Sequence, residues 1–349
     1  HDAFTDPEQR YRMRYVDLIV NQDVKETFLK RSRIITAMRA TMDEAGYHEV
    51  DTPVLQPIPG GAAARPFETH HNALDTKLYL RIAPELYLKR LIVGGFHGVF
   101  EFSRNFRNEG MDRTHNPEFT IMELYVAYKD YVWMMAFMEK MLERVATAAN
   151  GSPTATFQQN AIQFKAPFKR ITMCGSIKEK TGKDVLEMDE PSLRSLCAEH
   201  GIHVEASMGK GKLIDELFSA LVQPELIQPT FVTDFPLEMS PLCKKHRNDP
   251  RLTERFDPFV DRFLLSNAYS ELNDPIDQRE RFEEQLKLQQ RGDDEAMFID
   301  RDFLRALEYG MPPTSGVGIG VDRLVMLLTN NPAIQEVLLF PQMRPEKFE

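Results

Sequence analysis

The sequence has 349 residues, 42% of them hydrophobic and 28% charged, with a formal net charge of −10. This composition is typical of a globular protein with a large core, and length alone allows one large domain or two. The negative charge disfavours a free-standing nucleic-acid-binding module, because phosphate contacts need clustered Lys and Arg, and it suits a cationic small substrate. No apolar run approaches the roughly 18 residues of a membrane span. The three cysteines form no CxxC pair, so we expect a reducing, cytoplasmic compartment and no membrane partner.

The first half of the chain alternates helical and strand-like patterns. Hydrophobic spacing predicts an amphipathic helix over about residues 24–45, ended by Gly46, and then a strand that Pro53 interrupts or confines to a sheet edge. Pro84 is predicted to open another helix. Strand patterns are present at about 78–82, 99–107, 119–127 and 264–272. The mixture predicts an α+β fold with an antiparallel-rich sheet, and we interpret the helical pattern at about 170–230 as an insertion.

Capping residues mark the helices of the C-terminal part. Asp274-Pro275 and Asp300 are predicted to open two helices, which Gly292 and Gly310 close. A final helix is predicted to begin near Asp322.

Polar side chains with chemical potential are concentrated between residues 100 and 128. Alternation along the first strand places Arg107 on a polar face, and along the returning strand it places Glu123 and Tyr125 together on one face. The connecting loop, 110–117, is longer than a simple hairpin turn, and longer loops often carry function. The residues alone leave open an ordinary two-stranded ribbon with solvated charges.

The pattern FRNEG, a loop, then FTIMELY resembles motif 2 of the class II aminoacyl-tRNA synthetases, which have an antiparallel sheet flanked by helices. The resemblance implies that Arg107 binds the α-phosphate of ATP and the amino-acid carboxylate. It also implies that His115 reaches the outer phosphates, that Glu109 reads the adenine amino group, and that Phe119 stacks on the adenine ring.

The glycine-rich run 316–320 is followed by Asp322-Arg323 at the start of a predicted helix. No βαβ unit follows, which excludes a dinucleotide-binding loop. An arginine in the first turn of a helix forms an anion site together with the helix dipole. This segment resembles motif 3 of the same class, which implies that Arg323 contacts the γ-phosphate. Residues 46–53 resemble motif 1, which implies a homodimer.

Three further segments resemble the lysyl-tRNA synthetases: 59–62 with 69–75, 81–90, and 267–274. The alternating residues of the last segment, together with Glu123 and Tyr125, offer carboxylates and aromatic rings to a cation on an apolar stem. The resemblance implies a lysine pocket with a role for each residue. Glu123, Glu271 and Tyr125 would hold the ε-ammonium, Glu85 with Gly60 and Gly61 the α-amino group, Arg107 and Asn267 the carboxylate, and Tyr269 would flank the stem.

The expected magnesium ligands depart from the family pattern. The family has two glutamates where this chain has Asp257 and Leu264. Leucine cannot ligate a hard cation, so only Asp257 is retained as a metal-ligand hypothesis, with Asp261 as the alternative source of the missing carboxylate. Strict alternation places Leu264 opposite Asn267, so the family geometry requires a bulge just before Asn267.

We interpret residues 1–20 as a linker that follows an anticodon-binding barrel, and 21–349 as a catalytic domain. The resemblance implies activation of lysine with ATP and transfer to the 3′ end of tRNA(Lys). Two alternatives remain open at this point. One is a paralogue that lysylates elongation factor P, and the other is a non-catalytic regulator that keeps the synthetase fold.

Overall fold

The computed structural model describes residues 4–290 and 297–346. Its α-helices are α1 Pro7–Arg12, α2 Arg14–Val20, α3 Gln22–Glu44, α4 Glu85–Val93, α5 Tyr131–Asn150, α6 Met173–Thr181, α7 Glu190–Glu199, α8 Lys210–Leu221, α9 Pro275–Gln290, α10 Arg301–Gly310 and α11 Val321–Thr329. Across the described ranges, no helix is long and apolar enough to cross a bilayer.

The strands belong to one large sheet, one small sheet and a hairpin. They are β1 His48–Glu49, β2 Leu55–Gln56, β3 Glu68–His71, β4 Thr76–Leu80, β5 Gly98–Phe106, β6 Glu118–Ala127, β7 Thr154–Phe157, β8 Asn160–Gln163, β9 Lys169–Thr172, β10 Thr230–Thr233, β11 Arg255–Val260, β12 Phe263–Leu264, β13 Ser266–Ser270 and β14 Thr314–Gly320. The large sheet has the order β1-β5-β6-β14-β13-β11-β10-β9, with β12 paired to β11. Its β1–β5 and β9–β10 pairs are parallel, and its other pairs are antiparallel.

The predicted α+β fold is therefore confirmed, and most predicted boundaries lie close to the observed ones. Helix α3 ends before Gly46, whose φ of +79° lies in the left-handed region that glycine tolerates. The strand expected around Pro53 is interrupted there, as β1 and β2 lie on either side of it. Asp300 caps α10 by accepting a hydrogen bond from the Phe303 N–H. The predicted helix end at Gly292 lies outside the described residues.

The segment predicted as a helical insertion has a more specific architecture. Helices α6, α7 and α8 connect β9 to β10, which run parallel at one edge of the large sheet. They bury their own apolar cluster, in which Leu213 and Phe218 of α8 pack with Phe259 of β11. The segment is thus a crossover connection between two sheet strands, and the tight antiparallel turns of the remaining sheet cannot supply such a connection. That it is an insertion relative to other members of the family remains a prediction.

The two faces of the large sheet have different chemistry. One face packs on α3, α5 and α11 through a continuous core that includes Phe100, Leu124 and Val317. The opposite face presents Glu123 and Tyr125, and α4 and α10 cover it only in part, through a smaller apolar cluster. Because side chains alternate along a strand, a single apolar period buries one face and leaves the other for polar groups. This second face carries the candidate site.

Candidate active site

Strand register aligns the predicted amino-acid pocket across three strands. Tyr125 of β6 lies opposite Gly316 of β14, and Gly316 lies opposite Tyr269 of β13. The neighbouring row joins Glu123, Gly318 and Asn267 in the same way. Directly paired residues point to the same side of a sheet, so the four predicted side chains share one face.

Three buried carboxylates lie at this face, and two of them contact one lysine. Lys89 of α4 is fully buried, and its Nζ lies 2.6 Å from Glu85 Oε1 and 2.5 Å from Glu271 Oε2. The third carboxylate, Glu123, accepts a hydrogen bond of 2.9 Å from the Tyr125 hydroxyl. Glu271 is 1% exposed, and its Oε1 has no hydrogen-bond partner among the described residues. When all four groups are ionised, three negative charges face one positive charge, which leaves a net charge of −2.

Burial makes this charge costly, and the carboxyl pKa values reflect it. Burial, reinforced by the neighbouring Glu85, raises the pKa of Glu123 to about 8. Burial also raises the pKa of Glu271 to about 8, although Lys89 opposes the shift. The pKa of Tyr125 is raised well above its usual value by burial and by Glu123, so its hydroxyl stays protonated and donates. When ionised, the cluster therefore has more negative than positive charge and can bind further cations.

Glycine provides the room that these carboxylates occupy. A Cβ at Gly316 would overlap both the Glu271 carboxylate and the Tyr125 ring. Gly61, with a φ of +86°, passes so close to Glu85 that a Cβ there would lie 2.9 Å from the Glu85 Cβ. Two of the predicted pocket features, the 59–62 turn and Glu85, are thus brought together by backbone contact. Gly60 is adjacent and lies against Leu86.

A neutralised carboxylate lies next to the cluster. Glu101 of β5 pairs directly with Glu123 of β6. Its carboxylate receives bonds of 2.6 Å from both Arg81 and the Thr52 hydroxyl. Glu101 therefore has its own counter-ion and contributes little net charge, in contrast to Glu123.

The predicted nucleotide residues lie at the other end of the same strands. The Arg107 guanidinium lies 5.0 Å from the centre of the Phe119 ring. Burial lowers the pKa of Arg323, and the positive charge of Arg107 lowers it further. Two arginines that repel each other in this way favour the binding of an anion, such as a phosphate of ATP.

The loop between β5 and β6 places a histidine beside this pair. His115 Nε2 lies 3.3 Å from an Arg323 guanidinium nitrogen, and its Nδ1 lies 2.8 Å from an Asp112 carboxylate oxygen. Although partial burial opposes it, hydrogen bonding from Thr114 and His115 lowers the pKa of Asp112 to about 2. The Asp112 carboxylate accepts from the Nδ1–H of His115, and in this tautomer Nε2 accepts from Arg323.

Arg323 owes its position to a buried network at the start of α11. Asp322 accepts bonds from Arg31 of α3 at 2.7 Å and from the Thr120 backbone N–H at 2.8 Å. Arg323 itself donates to the Leu264 carbonyl at 2.9 Å. The helix carrying this arginine is thus fastened to the long helix, to β6 and to β12.

The family geometry requires a bulge or turn just before Asn267, and a one-residue bulge is present although residues 261–265 depart from the family pattern. Leu265 lies outside the strands, and the pairing partners of β11 shift by one residue between Phe259–Leu264 and Phe256–Ala268. This shift places Leu264 on the same face as Asp257, where sequence alternation alone would have placed it on the other.

The side chains at this position do not fit a metal ion held by two carboxylates. Both Asp257 oxygens accept from Arg255, at 2.9 and 2.6 Å, and Asn267 also donates to Asp257. Leu264 packs against the apolar cluster of the crossover helices. Asp261, the suggested substitute, is buried and accepts a bond from Asn160. Within the described residues, no group of three or more His, Cys, Asp or Glu is placed to hold a metal, and the magnesium ligand hypothesis for Asp257 remains a prediction.

Two predicted ligand-binding residues also have partners within the protein. Asn267, expected to hold a carboxylate, donates to Asp257. Glu109, expected to read adenine, is exposed and accepts a bond of 3.4 Å from the Arg65 backbone N–H.

Sequence comparisons with known proteins identify the family of the chain. A family model for tRNA synthetases class II (D, K and N) matches residues 6–344. The chain belongs to this family. A class II relative from Porphyromonas gingivalis, named lysine–tRNA ligase, is 68% identical over 346 residues, which is 99% of this chain. Relatives of the same name from Christiangramia forsetii and Azobacteroides pseudotrichonymphae are 66% and 63% identical over 99% and 100% of the chain.

This class II chain spans 60% of the length of the first relative and 61% and 70% of the other two. The similarity therefore concerns part of each relative. In this chain, all of the site residues described above lie within the 6–344 range that the family model matches.

Sequence reasoning missed Lys89 as a site residue. Glu85 and Lys89 are four positions apart on a helix, a spacing that usually indicates a solvent-exposed ion pair. One signal was available in the sequence. Glu85 was already a pocket candidate, and Lys89, its i+4 neighbour on the same helix face, has to lie near the pocket too.

Proposed function

We propose that the chain is the catalytic part of a lysine–tRNA ligase, which activates lysine with ATP and transfers it to the 3′ end of tRNA(Lys). The observation that carries this proposal is the pocket charge. Glu85, Glu123 and Glu271, with one ammonium from Lys89, leave two negative charges that match the two ammonium groups of lysine. The names of the similar relatives support the same substrate.

The proposed orientation follows from the chemistry at the two ends of the site. The lysine ε-ammonium contacts Glu123 and Glu271, and its α-ammonium lies between Glu85 and the Gly60–Gly61 turn. The stem lies along Tyr269. The lysine carboxylate then points toward Arg107 and the nucleotide, because the acidic end of the pocket repels it.

In the proposed reaction, a lysine carboxylate oxygen attacks the α-phosphorus of ATP. The bond from the α-phosphorus to the bridging oxygen breaks, pyrophosphate leaves with that electron pair, and lysyl-adenylate remains. The step needs positioning and charge stabilisation and no protein nucleophile. Arg107 and Arg323 neutralise the phosphates, His115 reaches the outer phosphates, and Phe119 and Glu109 hold the adenine.

In the second step, the 3′-hydroxyl of the terminal tRNA adenosine attacks the lysyl carbonyl carbon. AMP leaves, and the hydroxyl proton is lost to the departing phosphate or to water. A reaction that charges tRNA for translation belongs to the cytoplasm, which is the location we propose.

Lysine-dependent exchange of pyrophosphate into ATP tests the proposal directly. We expect exchange with lysine and none with aspartate or asparagine, the substrates of the other two branches of this family, because an acidic pocket repels a carboxylate and leaves an amide unpaired. Exchange that is equal for all three, or that requires aspartate, would refute the proposal. Arginine is a useful control, because it has the charge of lysine but a longer, planar head group.

We also propose a homodimer formed through α3 and residues 46–53, the segment that resembles motif 1. Leu29, Val54, Leu55 and Phe96 are exposed apolar side chains of these elements and of the residues that adjoin them. Exposed apolar side chains on and next to these elements are consistent with an interface, and a two-fold dimer uses the same surface on both partners. Sedimentation equilibrium should find a dimer at micromolar concentration, and a monomer at all concentrations would contradict the assignment.

A further inference from the structure

Lys89 combines two properties that are rarely found together. Its side chain is completely buried, and its ammonium contacts two carboxylates that are themselves buried. The Phe303 ring of α10 lies 5.9 Å from Nζ on another side. Burying an ion pair costs several kcal/mol of desolvation per ion, and well-packed apolar residues usually give comparable or greater stability. A role in folding stability alone therefore does not account for Lys89.

The surrounding groups leave Lys89 as the counter-ion of the pocket. Glu101 is paired with Arg81, and Asp257 with Arg255. Tyr125, Tyr269 and Cys243 have pKa values raised well above their usual range, first of all by burial, so these three groups are uncharged. Among the described residues, the titratable groups that remain at this face are Glu85, Glu123, Glu271 and Lys89.

We propose that Lys89 is a positioning residue that sets the charge of the amino-acid pocket so that it accepts a substrate with two ammonium groups. The proposal rests on the proposed function. With Lys89 in place, a doubly ammonium-bearing ligand brings the buried cluster to neutrality. Lys89 also holds Glu271 Oε2 and Glu85 Oε1 at ion-pair distance, while Glu271 Oε1 has no hydrogen-bond partner among the described residues.

Loss of Lys89 would have a defined consequence for proton uptake. Three carboxylates without an internal cation repel one another, so in the free protein they bind protons more tightly. The bound lysine would neutralise two of them and leave one buried negative charge, which also favours protonation. Lysine would then have to displace protons at pH values where the unmodified pocket is already ionised.

The experiment measures lysine affinity by calorimetry across pH 6–9.5 for the unmodified chain and for Lys89→Met, which keeps the length and apolar volume of the side chain. For Lys89→Met we expect affinity at pH 7.5 to fall roughly 10- to 100-fold, and the pH at which binding reaches half its maximum to move up by about one to two units, since each unit of pKa corresponds to a factor of ten. ATP affinity, measured separately, should change little.

Arg90→Met is the matched control, because Arg90 is the neighbouring cation on α4 and pairs with Asp300 and Asp302 away from the pocket. It should leave the pH midpoint of lysine binding in place. The double variant Lys89→Met/Glu271→Gln removes one charge of each sign, so the cluster keeps the net charge of the unmodified pocket and its pH midpoint should return toward that of the unmodified chain.

The outcomes separate this inference from the proposed function. If the unmodified chain binds lysine and the Lys89→Met midpoint does not move, Lys89 only fills space and the inference fails alone. Additive midpoint shifts in the double variant would overturn it too. If the unmodified chain does not bind lysine, the proposed function itself fails.

Discussion

Gly316 offers a test of the pocket geometry that changes no charge. An alanine Cβ at this position would overlap the Glu271 carboxylate and the Tyr125 ring. Both neighbours are fully enclosed, and Glu271 is also held by Lys89, so neither can yield by turning into solvent. We expect Gly316→Ala to displace Glu271 from its position toward the ligand.

The size of the effect follows from the contacts that would be lost. Separating a buried, hydrogen-bonded charge pair typically costs about 2–5 kcal/mol in binding, which corresponds to an increase of at least roughly 30-fold in the KM for lysine. Overpacking a buried site costs folding stability as well, about 1–3 kcal/mol. The KM for ATP should change far less, because Arg107 and Arg323 lie at the other end of the strands.

The assay is steady-state ATP–pyrophosphate exchange with either substrate varied, together with urea unfolding. Gly318→Ala is the graded comparison on the same strand and face, since a Cβ there would lie 3.4 Å from the Glu123 Cγ, a tight contact that a shift of a few tenths of an ångström relieves. Gly318→Ala should therefore raise the lysine KM less than Gly316→Ala. Equal effects, or an unchanged lysine KM in Gly316→Ala, would show that Glu271 does not face the ligand.

Three further outcomes are expected. Because the pKa values of Glu123 and Glu271 are raised to about 8, the ligand-free protein should lose stability as pH rises from about 5 to 8, and lysine affinity should rise over the same range. Calorimetry in two buffers of different ionisation enthalpy should detect proton release on lysine binding. Lysine binding that does not depend on pH would contradict the assignment. Leu264→Glu should lower the magnesium concentration needed for half-maximal exchange, since the bulge places position 264 on the same face as Asp257. A Mn²⁺ titration followed by EPR measures metal affinity independently. If neither the magnesium requirement nor the Mn²⁺ affinity changes, position 264 does not face the phosphates. Arg323→Ala should raise the KM for ATP by roughly 10- to 100-fold, because loss of a charged hydrogen bond costs about 1.5–3 kcal/mol. The KM for lysine in the same exchange assay should change only a few-fold. A large rise in the lysine KM with an unchanged ATP KM would show that Arg323 does not bind ATP.

Alternation along the strands was sufficient to predict which residues of β6 and β13 share a face. The period of two in a strand is fixed by backbone geometry, so Glu123 with Tyr125, and Asn267 with Tyr269, could be grouped from the sequence. Local capping chemistry gave the start of α10 and the end of α3 in the same way. The resemblance to the synthetase motifs then predicted that the two groups meet in one pocket, which periodicity within each strand cannot do.

Tertiary structure alone decided how the charges are paired. Lys89 reaches Glu271 although 182 positions separate them in the sequence, and Asp257 turns to Arg255 instead of standing free. The bulge at Leu265 depends on strand pairing and moves Leu264 to the opposite face from the one that simple alternation gives. Spacing along the chain describes one element at a time, whereas ion pairing in a buried site depends on distances between elements and on desolvation, which exist only once the strands and helices have packed.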